Sequence, residues 1–104
     1  MSWLYLSVAV VFEIVFAMGT KLSDGFTRPL PTLMVVVGIV GGVGFLGLAA
    51  KGLPISVAYP IWTACGALGT IALGAVMLGE PLGALKLGSA ALIVVGVAGL
   101  RAAS

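Results

Sequence analysis

The sequence has no histidine, a single cysteine and very little charge, with only 8% of its 104 residues being Asp, Glu, Lys or Arg. Each shortage excludes something. One thiol, Cys65, cannot form an intrachain disulfide or a cysteine metal cluster, so no metal site is expected. It lies within an apolar run, where a thiol usually serves as a small packing group. Without histidine, hydrolytic and redox chemistry lack their usual parts. A soluble domain carries about 25% charged residues. This chain is far below that and 62% hydrophobic, so it reads as an integral membrane protein. A net charge of +2, scattered along the chain, is too weak to hold nucleic acid.

What charge there is punctuates the sequence. Pro29 to Ala50 and Gly52 to Gly79 carry none at all. About 20 helical residues cross roughly 30 Å of hydrocarbon, so each run is long enough to span a bilayer. A single all-α transmembrane domain over residues 1–104 is expected, with four helices near 3–20, 30–50, 54–78 and 83–101. The fourth is short, but Lys86 and Arg101 can extend their charged heads beyond its ends. The links fall at "KLSDGFTRP", "AAKGLP" and "LGEPLGALK". The first apolar segment lacks a basic leader and a polar cleavage region, so it is expected to remain in the mature protein.

Four spans place the N-terminus, the second link and the C-terminus on one side, with Lys51 and Arg101. The opposite side has Lys21, Arg28 and Lys86. This positive-inside bias is nearly balanced. Short loops with few charges explain that; so does insertion in both orientations. Two oppositely oriented copies would form the kind of inverted pair that larger transporters encode as internal repeats. Four helices are also few to enclose a buried carboxylate, and a two-fold homo-oligomer is the common remedy.

That carboxylate is Glu13, the one charge in "AVVFEIVFAM". An ionised Glu near the bilayer centre costs roughly 2.5 kcal/mol or more, and intramembrane ionisable residues mark function by default. The structural alternative is a neutral Glu that hydrogen-bonds a neighbouring helix. At helical spacing Glu13 shares its face with Ala9, Val10, Phe16 and Ala17. None of them can pair with it by charge.

The other helices carry weaker signals. In the second, "GIVGGVGFLG" places Gly38 and Gly42 four apart, a pattern that allows close helix packing or leaves room beside the helix. In the third, "SVAYPIWTACG" places Tyr59 and Trp62 on one face, deeper than an interfacial belt. Either they pack the core, or the indole and the phenol hydroxyl serve an organic cation. Pro60 removes a backbone donor and is expected to kink this helix. In the fourth, Ser89 and Gly96 form a small-residue stripe suited to a dimer interface. Trp3, Tyr5 and Phe26 look like anchors at the membrane surface.

In order and spacing, these features resemble the small multidrug resistance transporters over essentially the whole chain. The likeness rests on four spans, Glu13 in the first, "KLSDGFTR" after it, "PISVAYPIW" opening the third and "GEP" before the fourth. It implies a proton-coupled antiporter of the bacterial inner membrane that exports small organic cations and needs no cofactor beyond the proton gradient. It also implies an antiparallel homodimer or a paired heterodimer. Glu13 matches the carboxylate that binds substrate and protons in turn. Tyr59 and Trp62 match binding-site aromatics, and Ser89 to Gly96 the dimerisation stripe. "FEIVFAMGTK" is closest to the guanidinium-exporter branch. Four departures stand out: Phe16 replaces a Trp that donates toward the Glu, Gly42 a supporting Ser, Pro60 an Ala, and "TACG" a two-glycine kink. The expected pocket is lined by Val10, Phe16, Gly42, Tyr59 and Trp62, while Pro60 and "TACG" bear on the kink of the third helix. Lost donors and lost bulk would favour guanidines or amines with hydrophobic substituents over bare guanidinium.

A broader exporter of quaternary ammonium compounds is the alternative within the same family. Outside it, a rotary-ring subunit needs only two helices. A structural or pore-forming protein would leave Glu13 and the Tyr59–Trp62 pair unexplained. An enzyme is not expected, since the spans hold no second acid and no nucleophile dyad.

Overall fold

The computed structural model describes residues 1–103; Ser104, the end of the expected domain, lies outside the described residues. Among the described residues the chain forms four α-helices: α1 Ser2–Leu22, α2 Pro29–Ala49, α3 Ile55–Met77 and α4 Ala84–Ala103. All four are long and apolar enough to cross a membrane. Their outer faces point the same way. Leu85 is 86% exposed, Val76 82% and Leu92 74%, a surface suited to lipid and not to water.

Local chemistry sets the boundaries. Prolines occupy the first turn of α2, where a missing N–H leaves no helical bond unmade. The α1–α2 turn folds around Ser23, which is fully buried. Its hydroxyl donates to the Thr20 carbonyl at 2.9 Å and accepts the Phe26 N–H at 3.1 Å. Asp24, Gly25 and Phe26 follow in left-handed conformation, with φ of 50°, 71° and 65°. Pro60 sits inside α3, which continues on both sides of it.

Packing centres on α1, which lies mainly against α2 and secondarily against α3. Gly38 makes the α1–α2 approach possible. A methyl there would lie 2.7 Å from the Phe16 nitrogen and 2.8 Å from the Phe12 oxygen, both backbone atoms. The core cluster includes Leu6 and Ala9 of α1, Leu46 and Ala49 of α2, and Ala58 and Ile61 of α3. Trp3 and Tyr5, expected as surface anchors, are half-buried against this cluster, and Tyr5 lies 6.2 Å from the Phe45 ring. Phe26 does stay exposed. Helix α4 packs mainly along α3, with Val97 and Leu100 half-buried against the core, and none of its residues is fully buried. At its far end the Arg101 guanidinium lies 4.8 Å from the Trp3 ring centroid. The Ser2 hydroxyl lies against Gly52. The start of α1, the α2–α3 link and the end of α4 therefore gather at one end of the bundle, as four alternating spans require.

Candidate functional site

Glu13 projects from the middle of α1 into a cleft of about 370 Å³ between α1 and α3. Phe16 and Ala17 line it from α1; Thr63, Gly66, Ala67 and Thr70 line it from α3. These α3 residues recur at helical spacing, so they form one stripe facing the carboxylate. The Glu13 side chain lies directly across Gly66. A methyl on that glycine would be 2.5 Å from Glu13 Cγ. No Lys or Arg lines the cleft. Among the described residues no side-chain hydrogen bond ends on the Glu13 carboxylate. Nor is there a cluster of His, Cys, Asp or Glu able to hold a metal ion. The cleft thus offers an uncompensated carboxylate to a cation or a proton. A larger hollow, about 450 Å³, lies beside the α1–α2 turn near Phe26 and Thr32, but no ionisable group lines it.

The other expected site residues fall into two groups. Phe16 shares the cleft with Glu13. Tyr59, Trp62 and Gly42 gather at the neighbouring α1–α2–α3 junction. The Tyr59 and Trp62 rings are 5.8 Å apart and tilted by 58°. The Trp62 indole N–H donates to the Ala9 carbonyl at 3.0 Å, one turn before Glu13, and so ties α3 to α1. Gly42 faces that indole: a methyl there would lie 3.4 Å from Trp62 Cζ2, an ordinary contact. Tyr59 is exposed, and Val10, on α1, is half-buried. Neither lines the Glu13 cleft within one chain.

The chain as a whole is similar to known proteins. The profile of the Small Multidrug Resistance protein family matches residues 1–93. The chain belongs to the small multidrug resistance family. It is 44% identical over 104 residues to a protein of Proteus vulgaris named "Guanidinium exporter", with 100% of both chains covered. A protein of the same name from Escherichia coli K12 is 41% identical over 101 residues, covering 97% of this chain and 96% of that one. Another, from Yersinia pestis, is 40% identical over 104 residues, again with both chains fully covered. As a family member this protein is a multi-pass transporter of the bacterial inner membrane and not an enzyme.

Two further features belong to the transporter's surface and to its cleft. Ser89 and Gly96, expected at a dimer interface, lie exposed on α4, and a methyl at Gly96 would meet nothing within 4 Å. The Ser89 hydroxyl is turned back onto the Leu85 carbonyl at 2.9 Å. In the cleft, Thr63 and Gly66 are the ends of the "TACG" expected at the kink, and Thr70 carries no sequence expectation. Their signal was the spacing Thr63, Gly66, Ala67, Thr70 in "TACGALGT", small and hydroxylic residues on one helical face.

Proposed function

We propose that this protein is a proton-coupled antiporter that exports small organic cations: guanidinium, substituted guanidines or related amines. One observation carries the reading. The only charge within the membrane-spanning part of α1, Glu13, opens onto a cleft without a compensating cation. Full-length similarity to proteins named guanidinium exporters supports the cargo class. A cleft of about 370 Å³ is near the lower end of ligand-pocket volumes, about 300–1,000 Å³, which suits a small cation with a modest substituent.

The working unit is an antiparallel dimer, in which two Glu13 side chains face one chamber. A cation binds from the cytoplasm as protons leave, and protons arriving from outside displace it. The two exclude one another because each is held by the negative charge that the other neutralises, a coupling expressed as differential affinity between states. Ser89 and Gly96 supply the exposed small-residue face through which α4 meets its partner. The partner is a second copy; a related chain is the alternative that co-purification would reveal.

Cargo choice follows from what surrounds the carboxylate. Phe16 brings a ring without a hydrogen-bond donor into the cleft. Together with Ala17 and Ile71, which also line the cleft, Phe16 offers an apolar wall. Hydrophobic guanidines should therefore exceed bare guanidinium in apparent affinity.

The test is transport by the purified protein in liposomes with and without a pH gradient. Guanidinium, an alkylguanidinium and a quaternary ammonium ion are compared. Gradient-driven movement that is lost in Glu13→Gln, with the dimer intact, is the expected result. Coupled transport by Glu13→Gln would overturn the mechanism, and transport of guanidinium alone would overturn the preference for substituted cargo.

A further inference from the structure

We propose that the hydroxyls of Thr63 and Thr70 determine cargo specificity, by presenting lone pairs and no proton to the head group held by Glu13. This rests on the export reading above. Both threonines line the cleft that holds Glu13. Each spends its single proton on its own helix. Thr63 Oγ1 donates to the Tyr59 carbonyl at 2.6 Å, and Thr70 Oγ1 donates to the Gly66 carbonyl at 2.8 Å. A hydroxyl has one donor proton and two acceptor lone pairs. Once its proton points back along α3, the oxygen can offer a ligand acceptance only.

Every side-chain polar group on the cleft wall is then an acceptor. Glu13 accepts when ionised, Thr63 and Thr70 accept, and the remaining lining residues are Phe16, Ala17, Gly66, Ala67 and Ile71. A cation bearing several N–H groups satisfies such a wall. A quaternary ammonium ion has no N–H, so it leaves the oxygens unpaired in a half-buried site. Sites built to hydrogen-bond an N–H discriminate strongly against analogues that lack it.

The two hydroxyls are not equivalent positions of one subsite. They stand seven residues apart, about 10.5 Å along the helix axis at 1.5 Å per residue. The Glu13 side chain crosses Gly66, which lies between them. A small head group bonded to the carboxylate therefore meets one threonine at a time, giving the cleft an acceptor on each side of Glu13.

The experiment uses the full-length protein in liposomes, comparing wild type with Thr70→Val, Thr63→Val and Thr70→Ser. Valine keeps the branched shape and deletes the hydroxyl; serine keeps the hydroxyl. Ethylguanidinium and tetraethylammonium are the probes, with KM and maximal rate measured separately and Kd measured by calorimetry in detergent. The expected result for Thr70→Val is a KM and Kd for ethylguanidinium raised about tenfold, with those for tetraethylammonium not raised. Thr70→Ser should restore the wild-type value. Equal shifts for both cations, no shift, or a Thr70→Ser variant behaving like Thr70→Val would overturn the assignment while leaving export intact. Wild-type protein that moves neither cation under a pH gradient would overturn the export reading, and this inference with it.

Discussion

Gly66 is where a single carbon atom should separate the stability of this transporter from its function. Its hydrogen side is occupied by Glu13. In Gly66→Ala the new methyl would stand 2.5 Å from Glu13 Cγ and 3.2 Å from Glu13 Cβ. Carbon atoms rest about 3.5–4.0 Å apart, so the carboxylate stem must move by about 1 Å. Crowding of this kind costs about 1–3 kcal/mol in a packed interior. Misplacing a reactive group by about 1 Å can cost about 10²-fold in rate. Gly69→Ala is the matched control, because its methyl would press on Ile14, 2.9 Å from Cγ1, away from the carboxylate. Both variants should melt at lower temperature in detergent, while only Gly66→Ala should lose proton-driven cation flux, by about 10²-fold. Wild-type flux in Gly66→Ala would refute the reasoning, and so would an equal loss in Gly69→Ala.

Four further outcomes are expected. Gly38→Ala drives a methyl against the α1 backbone and should destabilise the bundle by about 1–3 kcal/mol. Gly44→Ala, inside α2, meets nothing within 4 Å and should not lower the melting temperature, because alanine is the better helix former. Trp62→Phe removes the indole donor to Ala9 and should cost about 0.6 kcal/mol, the average for hydrogen bonds between membrane helices, read as a lowered melting temperature. Gly96→Leu should lower the yield of cross-linked dimer without lowering the thermal stability of the protomer, since Gly96 is exposed and a methyl there meets nothing within 4 Å.

The four helices were legible because charge is confined to their ends, so apolar length alone marks them. Glu13 was legible for the complementary reason, as an isolated exception inside such a length. Spacing also placed Tyr59 and Trp62 on one face. What spacing cannot supply is the rotation of one helix against another. In α2 the glycines are too dense for any periodicity to tell which face α1. Packing turns Gly38 and Gly42 inward, with Gly44 and Gly47 in open space. In α3 the same ambiguity hid the Thr63–Thr70 stripe. A threonine in an apolar helix carries no charge to draw notice, and it bonds its own backbone wherever it points. Only the seating of Glu13 across Gly66 shows which threonines line its cleft. Trp62 illustrates the limit differently. Its bond to Ala9 joins residues 53 positions apart, on different helices, and no local pattern encodes it.

The separate position of α4 has an evolutionary consequence. The Glu13 cleft is made by α1 and α3 alone, and α4 contributes no residue to its lining. Val97 and Leu100 pack against the core, but the opposite face of α4 is exposed, so substitutions there disturb neither the core nor the carboxylate. Selection can therefore act on what α4 packs against in the bilayer without altering what the cleft carries. A duplicated copy could diverge along α4 until it recognised a different neighbour, and it would still inherit the same cargo.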